Sequence, residues 1–504
     1  MSFAVFETEI ARINDILCAV NLLTWDSRTM MPPGGVEARG QQIATLVGLA
    51  RDMATGDGLQ RAIETARAEL AGVPSDDLRL VAVDQAAASI AKLSRIPAQL
   101  VTVSTTLKTQ AQAAWVKARA ANDFAGFAPM LERTMEMQRE IAGALGYDEH
   151  PYDALVDSYE PGMRWSKLQT LYGQLQQSLI PLLAQAKEAQ VRSEILERAY
   201  PVDRQREFSS MMATRLGYDF GRGRLDNAVH PFEISFTRAD VRITGRFRET
   251  WLPGGLFAVW HEAGHGLYEQ GISEQFSRST FTTDFVNLYA VGGASFGMHE
   301  SQSRLLENRV GRSRRFWDLH FHQLKAVFPE QLSDVSVDDF WRVINAARPS
   351  LIRVEADELT YDFHIMLRSE IEAGLMAGEV RVADFPEVWR DKVKSYLGLE
   401  VPTDTLGVLQ DVHWSSGMVG SFPTYTVGNI MSSQLFAKAR QDAAVESGLD
   451  TGDYAPLKSW LNHNVHQHGR SKSPSDILIA ATGADLTADA YIADLTAKVT
   501  DLTG

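Results

Sequence analysis

Apolar residues recur at three- and four-residue spacing over long stretches of the first 200 residues. The segments DDLRLVAVDQAAASIAKLSR (76–95) and LQTLYGQLQQSLIPLLAQAKEAQ (168–190) are clear instances, and that period lays one apolar stripe along an α-helix. Both are rich in Ala, Leu and Gln, residues that lose little on entering a helix. Breakers cluster at MMPPGG (30–35), from Gly146 to Pro151 and at Glu160-Pro161-Gly162, which predicts helix ends there but no long linker. Between 228 and 250 the pattern changes: AVHPFEISFTRADVRITGRF alternates β-branched and aromatic residues with polar ones, the signature of a short hairpin or small sheet. Helical periodicity resumes from 250, broken by the small-residue stretches VGGASFG (291–297) and SSGMVGS (415–421). The expected architecture is mainly α, with a small β element just ahead of the most chemical part of the chain.

That part is His261-Glu262-Ala263-Gly264-His265. Pro253 and Gly254 suit a helix start, and Leu256, Trp260 and Leu267 supply a buried stripe. Residues four apart on a helix lie one turn above one another, so both imidazoles can address one ion while Glu262 approaches an activated water from the side. Zinc is the natural occupant, and cobalt or manganese accept similar donors. The competing reading is a pair of satisfied histidines on a buried helix. A catalytic zinc needs a third protein ligand. No further histidine follows until His299, which is joined directly to Glu300 in MHESQSRLLEN, where Glu300, Ser303 and Glu307 would share a helical face. A carboxylate from this following helix would complete two His plus one Glu, and His299 is the alternative.

Other polar groups invite simpler readings. His463, His466 and His468 fit no single helix face, and a solvated or locally hydrogen-bonded segment accounts for them. Arg353 and Asp357, four apart in LIRVEADELTYDF, have the spacing of a helix-surface ion pair. Gln410, Asp411, His413 and Trp414 in GVLQDVHW precede a Gly/Ser loop and then Phe422-Pro423-Thr424-Tyr425. They are either packed core or groups presented to a cleft by a mobile segment.

Composition narrows the partners. Of 504 residues 45% are apolar and 22% charged, as in ordinary globular proteins, and 49 basic against 64 acidic side chains leave a net charge of −15. That balance repels phosphate backbones and anionic lipid, so nucleic acid and membrane surfaces are not expected partners. No stretch reaches the ~18 apolar residues of a membrane span. One cysteine, Cys18, allows no internal disulfide, and the start MSFAVFETEI lacks the basic-then-apolar pattern of a secretory signal, so a cytoplasmic location is expected.

Taken in order, LLTWDSRTMMPPGG, HPF (230–232), DVRIT (240–244), HEAGH, HESQSR (299–304), IRVEAD (352–357), GVLQDVHW (407–414), FPTYTVGN (422–429) and HGRSKSPSDILIAATG resemble the carboxypeptidase Taq family of metallocarboxypeptidases over nearly the whole chain. The resemblance implies an elongated helical zinc-peptidase fold with a deep central groove: a single domain over 1–504, two helical lobes around one groove, usually as a homodimer. It makes His261, His265 and Glu300 the metal ligands and Glu262 the general base. Arg353 becomes the expected anchor for a peptide's terminal carboxylate, oriented by Asp357, with Arg242 as the other candidate. His413 and Tyr425 are placed near the scissile carbonyl and Gln410 on the substrate side. The implied activity is zinc-dependent removal of C-terminal residues from peptides with a free C-terminus. Its rivals are an oligopeptidase or endopeptidase on the same scaffold and an inactive helical binding protein, against which the retained Glu262 argues. Two departures stand out. The stretch from His265 to Glu300 is longer than usual, and Gly266 replaces a frequent alanine, a change expected to be minor.

Overall fold

The computed structural model describes residues 2–504 and is predominantly helical, as expected. The breaker clusters end helices as their chemistry requires. Ser2–Thr29 stops before Pro32, Phe124–Leu145 stops at Gly146 in a positive-φ conformation, and Trp165–Ala186 begins after the Pro161-Gly162 turn. The chain divides into two compact units, one built from Met1–Ser94, Val191–Ile344 and Met431–Leu486, the other from Arg95–Gln190, Asn345–Ile430 and Thr487–Gly504.

In the first unit, helices Ser2–Thr29, Val36–Thr55, Asp57–Glu69 and Leu78–Ser94 pack around Phe6, Ile10, Ile13, Leu17, Ile63 and Val83. The long 266–299 stretch docks here. Its two short 3₁₀ turns and the paired strands Thr283–Asp284 and Tyr289–Ala290 drive Phe276, Phe281 and Phe285 into this same core. The expected hairpin is β2 (Glu233–Thr237) antiparallel to β3 (Asp240–Gly245), with Ile234 opposite Arg242. A third strand, β1 (Gly223–Asn227), adds parallel to β3 on its other edge. Its text, GRLDN, has no alternation to announce it. The helix Leu252–Gly271 packs on β3 and on the helix Val202–Leu216.

In the second unit the helix Glu358–Ala377 is buried on nearly all faces and forms the axis on which Trp165–Ala186, Phe385–Leu397 and Pro151–Val156 pack. From it, Glu372 clamps the Gly/Ser loop. It accepts from Trp414 Nε1 at 2.8 Å, Gly420 N at 2.9 Å and Tyr152 OH at 2.6 Å. Among the described residues no helix is long and apolar enough to cross a membrane.

Candidate active site

Helix Leu252–Gly271 carries Pro253 in its first turn, where a missing N–H costs nothing, and buries Leu256, Trp260 and Leu267 as the spacing predicts. Trp260 is locked among Phe257, Phe316 and Trp317, with ring centroids 5.3, 5.3 and 6.1 Å away. This packing fixes which face of the helix remains for His261 and His265. Gly264, between them, permits the next step: a Cβ there would stand 2.4 Å from Gln302 O and 2.6 Å from Ser303 Cα. The backbone of the helix Phe296–Arg304 therefore lies directly against the HEAGH turn and carries Glu300 to it.

His261 Nε2 is 3.4 Å and His265 Nε2 3.3 Å from Glu300 Oε2. The three donor groups all lie within 4.8 Å of one another, and no other His/Cys/Asp/Glu group of this kind occurs among the described residues. Two imidazole nitrogens and one carboxylate oxygen converging in this way fit a divalent ion with further positions open. Each donor is also gripped from behind. Glu300 accepts from Arg304 Nε at 2.7 Å and Ser303 Oγ at 3.1 Å. His261 Nδ1 meets Glu307 Oε2 at 2.9 Å, and Glu307 in turn accepts from Arg304 and Arg312, each at 3.3 Å. Glu307 shares the face of Glu300 as expected, on a segment, Leu305–Gly311, wound as a π-helix. Burial alone would raise the Glu307 carboxyl, but Arg304, His261 and Arg312 hold it down at about 2. Glu262, 6% exposed and without such an arginine contact, is pushed by burial up to about 7. His299 lies behind this donor set, its Nδ1 2.5 Å from His265 Nδ1.

Gly266 is less innocent than expected. A Cβ there would approach Tyr218 Cε2 to 2.7 Å, and that ring is fixed by a 2.6 Å bond from its hydroxyl to Val241 O. Tyr218 thus fills the space that an alanine would need.

The second unit holds the remaining candidates. Arg353 does not pair with Asp357, and the two do not share a helix. Arg353 lies in a 3₁₀ turn, whereas Asp357 caps the following helix, accepting from Leu359 N and Thr360 N at 3.0 and 3.1 Å and from Arg348 N at 2.7 Å. The carboxylate that Arg353 meets is Asp411, at 3.2 Å from Nε. Tyr361 OH accepts from Nη1 at 3.3 Å, and Phe422 and Tyr425 lie under the guanidinium at 5.6 Å each. Asp411 is shared with the fully buried Arg368 at 2.7 Å, and these two arginines hold its carboxyl far below the usual range despite burial. Gln410 braces the same network: its Oε1 accepts from Arg353 N and Arg368 Nη2, and its Nε2 donates to Leu351 O and Leu406 O. His413 packs on Phe422 at 4.5 Å, with its Nδ1 lacking a hydrogen-bond partner among the described residues. Burial and then Arg353 lower it to about 4, so it is neutral. Trp414 is core, bonded to Glu372.

Arg242, the other anchor candidate, is committed to Asp240 at 2.9 Å through both Nε and Nη2, with Trp25 and Phe236 at 4.4 and 4.7 Å from its guanidinium. Of the late histidines, His466 is buried rather than solvated, 2.9 Å from Gln302 Oε1 and 5.3 Å from the Tyr268 ring.

Comparison with known proteins assigns the chain to a family. Residues 5–499 match the family model described as Carboxypeptidase Taq (M32) metallopeptidase. The chain is 38% identical over 496 residues to Carboxypeptidase 1 of Bacillus subtilis, covering 98% of this chain and 97% of that one. It is also 38% identical over 498 residues to Thermostable carboxypeptidase 1 of Thermus thermophilus, covering 96% and 95%. The crystal structure of an M32 carboxypeptidase from Deinococcus radiodurans superposes with a TM-score of 0.95 at 35% identity, over 100% of this chain and 99% of the other. With its donor cluster set on the HEAGH helix and relatives alike from end to end, the chain belongs to the carboxypeptidase Taq (M32) family of metallocarboxypeptidases and is a peptide hydrolase.

Proposed function

We propose that the protein removes the C-terminal residue from peptides with a free C-terminus, with Zn2+ held by His261, His265 and Glu300 and with Glu262 as general base. The observation that carries this reading is the convergence of two imidazole ε-nitrogens and Glu300 Oε2 on the turn that also bears Glu262. An ion held there would supply Lewis acidity toward the scissile carbonyl and lower the pKa of water. Glu262 takes the proton of the attacking water and returns it to the leaving amine. His413 and Tyr425 are the donors proposed for the developing oxyanion.

For the terminal carboxylate the assigned residue is Arg353, whose Nε and Nη1 are engaged and whose Nη2 has no partner among the described residues. A guanidinium fork fixed on one side can bind a carboxylate with its remaining donors. Arg242 is the weaker candidate, since both its outward nitrogens already hold Asp240. Gln410 supports the substrate side from behind, through Arg353. Cobalt or manganese would suit the same donors. A cytoplasmic homodimer remains part of the reading on the family resemblance, and sedimentation of the purified protein checks its assembly.

The test is hydrolysis of a short peptide as free acid and as C-terminal amide, before and after chelation. Metal-dependent cleavage confined to the acid supports the proposal. Equal cleavage of acid and amide makes the protein an oligopeptidase, and cleavage unaffected by complete metal removal overturns the metal-assisted mechanism.

A further inference from the structure

The two ligand histidines are supported differently. His261 Nδ1 meets a carboxylate directly, Glu307 at 2.9 Å. His265 Nδ1 meets no carboxylate but a third imidazole, His299, at 2.5 Å between the two Nδ1 atoms. The far nitrogen of that ring, His299 Nε2, is 3.0 Å from Glu269 Oε1. We propose that His299 and Glu269 form a two-step relay that fixes the tautomer and ring orientation of His265, doing through an intermediate imidazole what Glu307 does for His261 directly. The inference rests on the metal reading above and assigns positioning roles within it.

The proton positions follow from who can donate. Glu269 is surrounded by donors: Gly292 N at 3.0–3.1 Å, Gly293 N at 2.9 Å and Ser235 Oγ at 3.2 Å. A carboxylate so placed accepts only, so His299 Nε2 carries a proton and donates it. In the neutral ring that leaves His299 Nδ1 as an acceptor, and the proton between the two Nδ1 atoms belongs to His265. His265 is thereby held as the Nδ1–H tautomer, with its Nε2 lone pair directed toward the Glu300 side, where the ligand cluster lies. Were His299 itself the ligand, one of these two short contacts would have to break.

The surroundings are built to this arrangement. His299 lies between the ring of His265 at 4.7 Å and that of Tyr268 at 5.4 Å. A Cβ on Gly293 would stand 2.3 Å from His299 Cδ2, and one on Gly292 would stand 1.8 Å from Ile272 Cδ1. Two consecutive glycines are therefore what lets the backbone amides reach Glu269 while the ring occupies the space beside them. Both glycines belong to the stretch between His265 and Glu300, which here acquires a role in holding the second ligand.

The experiment measures Zn2+ affinity of the full-length protein by competition with a chromophoric chelator, for wild type, His299→Ala, Glu269→Gln and the double variant, with Glu300→Ala as reference. Loss of a partner behind a metal-bound histidine costs about 10–100-fold in affinity, so that weakening is expected for His299→Ala. A smaller loss is expected for Glu269→Gln, and no further loss in the double variant, because both changes cut one chain. Imidazole 15N spectra of the Zn2+-loaded wild type supply a readout that general loosening does not move, with His299 expected as the neutral Nε2–H tautomer whose Nδ1 accepts from His265. Should His299→Ala not fold, the Glu269→Gln affinity and the wild-type spectrum decide the matter. A His299 that carries its proton on Nδ1 rather than Nε2, or affinities of both single variants within twofold of wild type while Glu300→Ala loses the ion, overturns the relay and leaves the metal centre standing. Absence of Zn2+ uptake by the wild type, or unimpaired uptake by Glu300→Ala, overturns the ligand set and the relay with it.

Discussion

Gly264→Ala sets two effects of known size against each other. In an unconstrained helix interior, replacing Gly by Ala stabilises by about 1 kcal/mol. Here the added methyl would stand 2.4 Å from Gln302 O, 2.6 Å from Ser303 Cα and 2.8 Å from Gln302 C. All three are backbone atoms, so no side chain can swing away, and ordinary contact at ~3.5 Å requires the two helices to part by about 1 Å. Overpacking of this kind costs about 1–3 kcal/mol, which offsets the propensity gain and leaves a net loss of up to ~2 kcal/mol. The consequence for the ligand cluster is larger. Ligand distances tolerate errors of only about 0.2 Å, and the parting moves Glu300 away from both imidazoles, so Zn2+ affinity should fall at least ~10-fold, or 1.4 kcal/mol. Chelator competition and urea denaturation of the same preparations read both quantities. Gly266→Ala is the control: its methyl meets the Tyr218 ring and Ile243 instead, so stability should fall while Zn2+ affinity stays within a few fold of wild type. A Gly264→Ala protein that is more stable than wild type and binds Zn2+ as tightly would refute the close-approach reasoning.

Glu262→Gln should keep its metal and fold but lose at least ~10²-fold in turnover, the usual scale for a general base; near-normal turnover of the metal-loaded variant removes Glu262 from the mechanism. Arg353→Ala should cut cleavage of a free-acid peptide by roughly 30-fold or more, a charge-assisted contact being worth ~2–5 kcal/mol. Its rate on the amide should change little, and a variant that still strongly prefers the acid sends the anchor to Arg242. Burial raises the Glu372 carboxyl from 4.5 to about 7, so the folded state keeps a proton that the unfolded chain has lost; its contribution is fully present below pH 4.5 and is lost as pH rises through about 7, by ~3 kcal/mol at 1.36 per unit. Urea titrations across that window should show a shallower decline for Glu372→Gln, and an unchanged slope would deny Glu372 this role.

Helices were legible wherever an apolar stripe and a breaker coincided, and the β2–β3 hairpin wherever alternation was strong. β1 was not, because GRLDN gains its strand conformation only by pairing with β3, a tertiary contact with no local signature. The Arg353–Asp357 pairing failed for a local reason that the text did contain. An Asp followed by Glu-Leu-Thr at the start of an apolar helix has the form of an N-cap, and Asp357 accepts from Leu359 N and Thr360 N as caps do. Reading the four-residue spacing as one helical turn assumed a helix that had not yet begun.

For the candidate site the limit lies elsewhere. HEAGH is legible because a covalent spacing of four on one helix is already a statement about geometry, and the shared face of Glu300 and Glu307 is legible for the same reason. What those spacings leave open is how far apart the two helices lie, and that is set by Gly264, whose bare Cα admits the backbone at Gln302 and Ser303. The support behind the donors is also drawn from distant segments. Glu269 reaches His299 across thirty residues and is itself held by Gly292 and Gly293, while Asp411 reaches Arg353 across fifty-eight. Leaving a buried carboxylate or arginine charged and unpaired is costly, which favours a partner for each, but the chain does not say which of many carries it. Only the fold decides between Asp357 and Asp411.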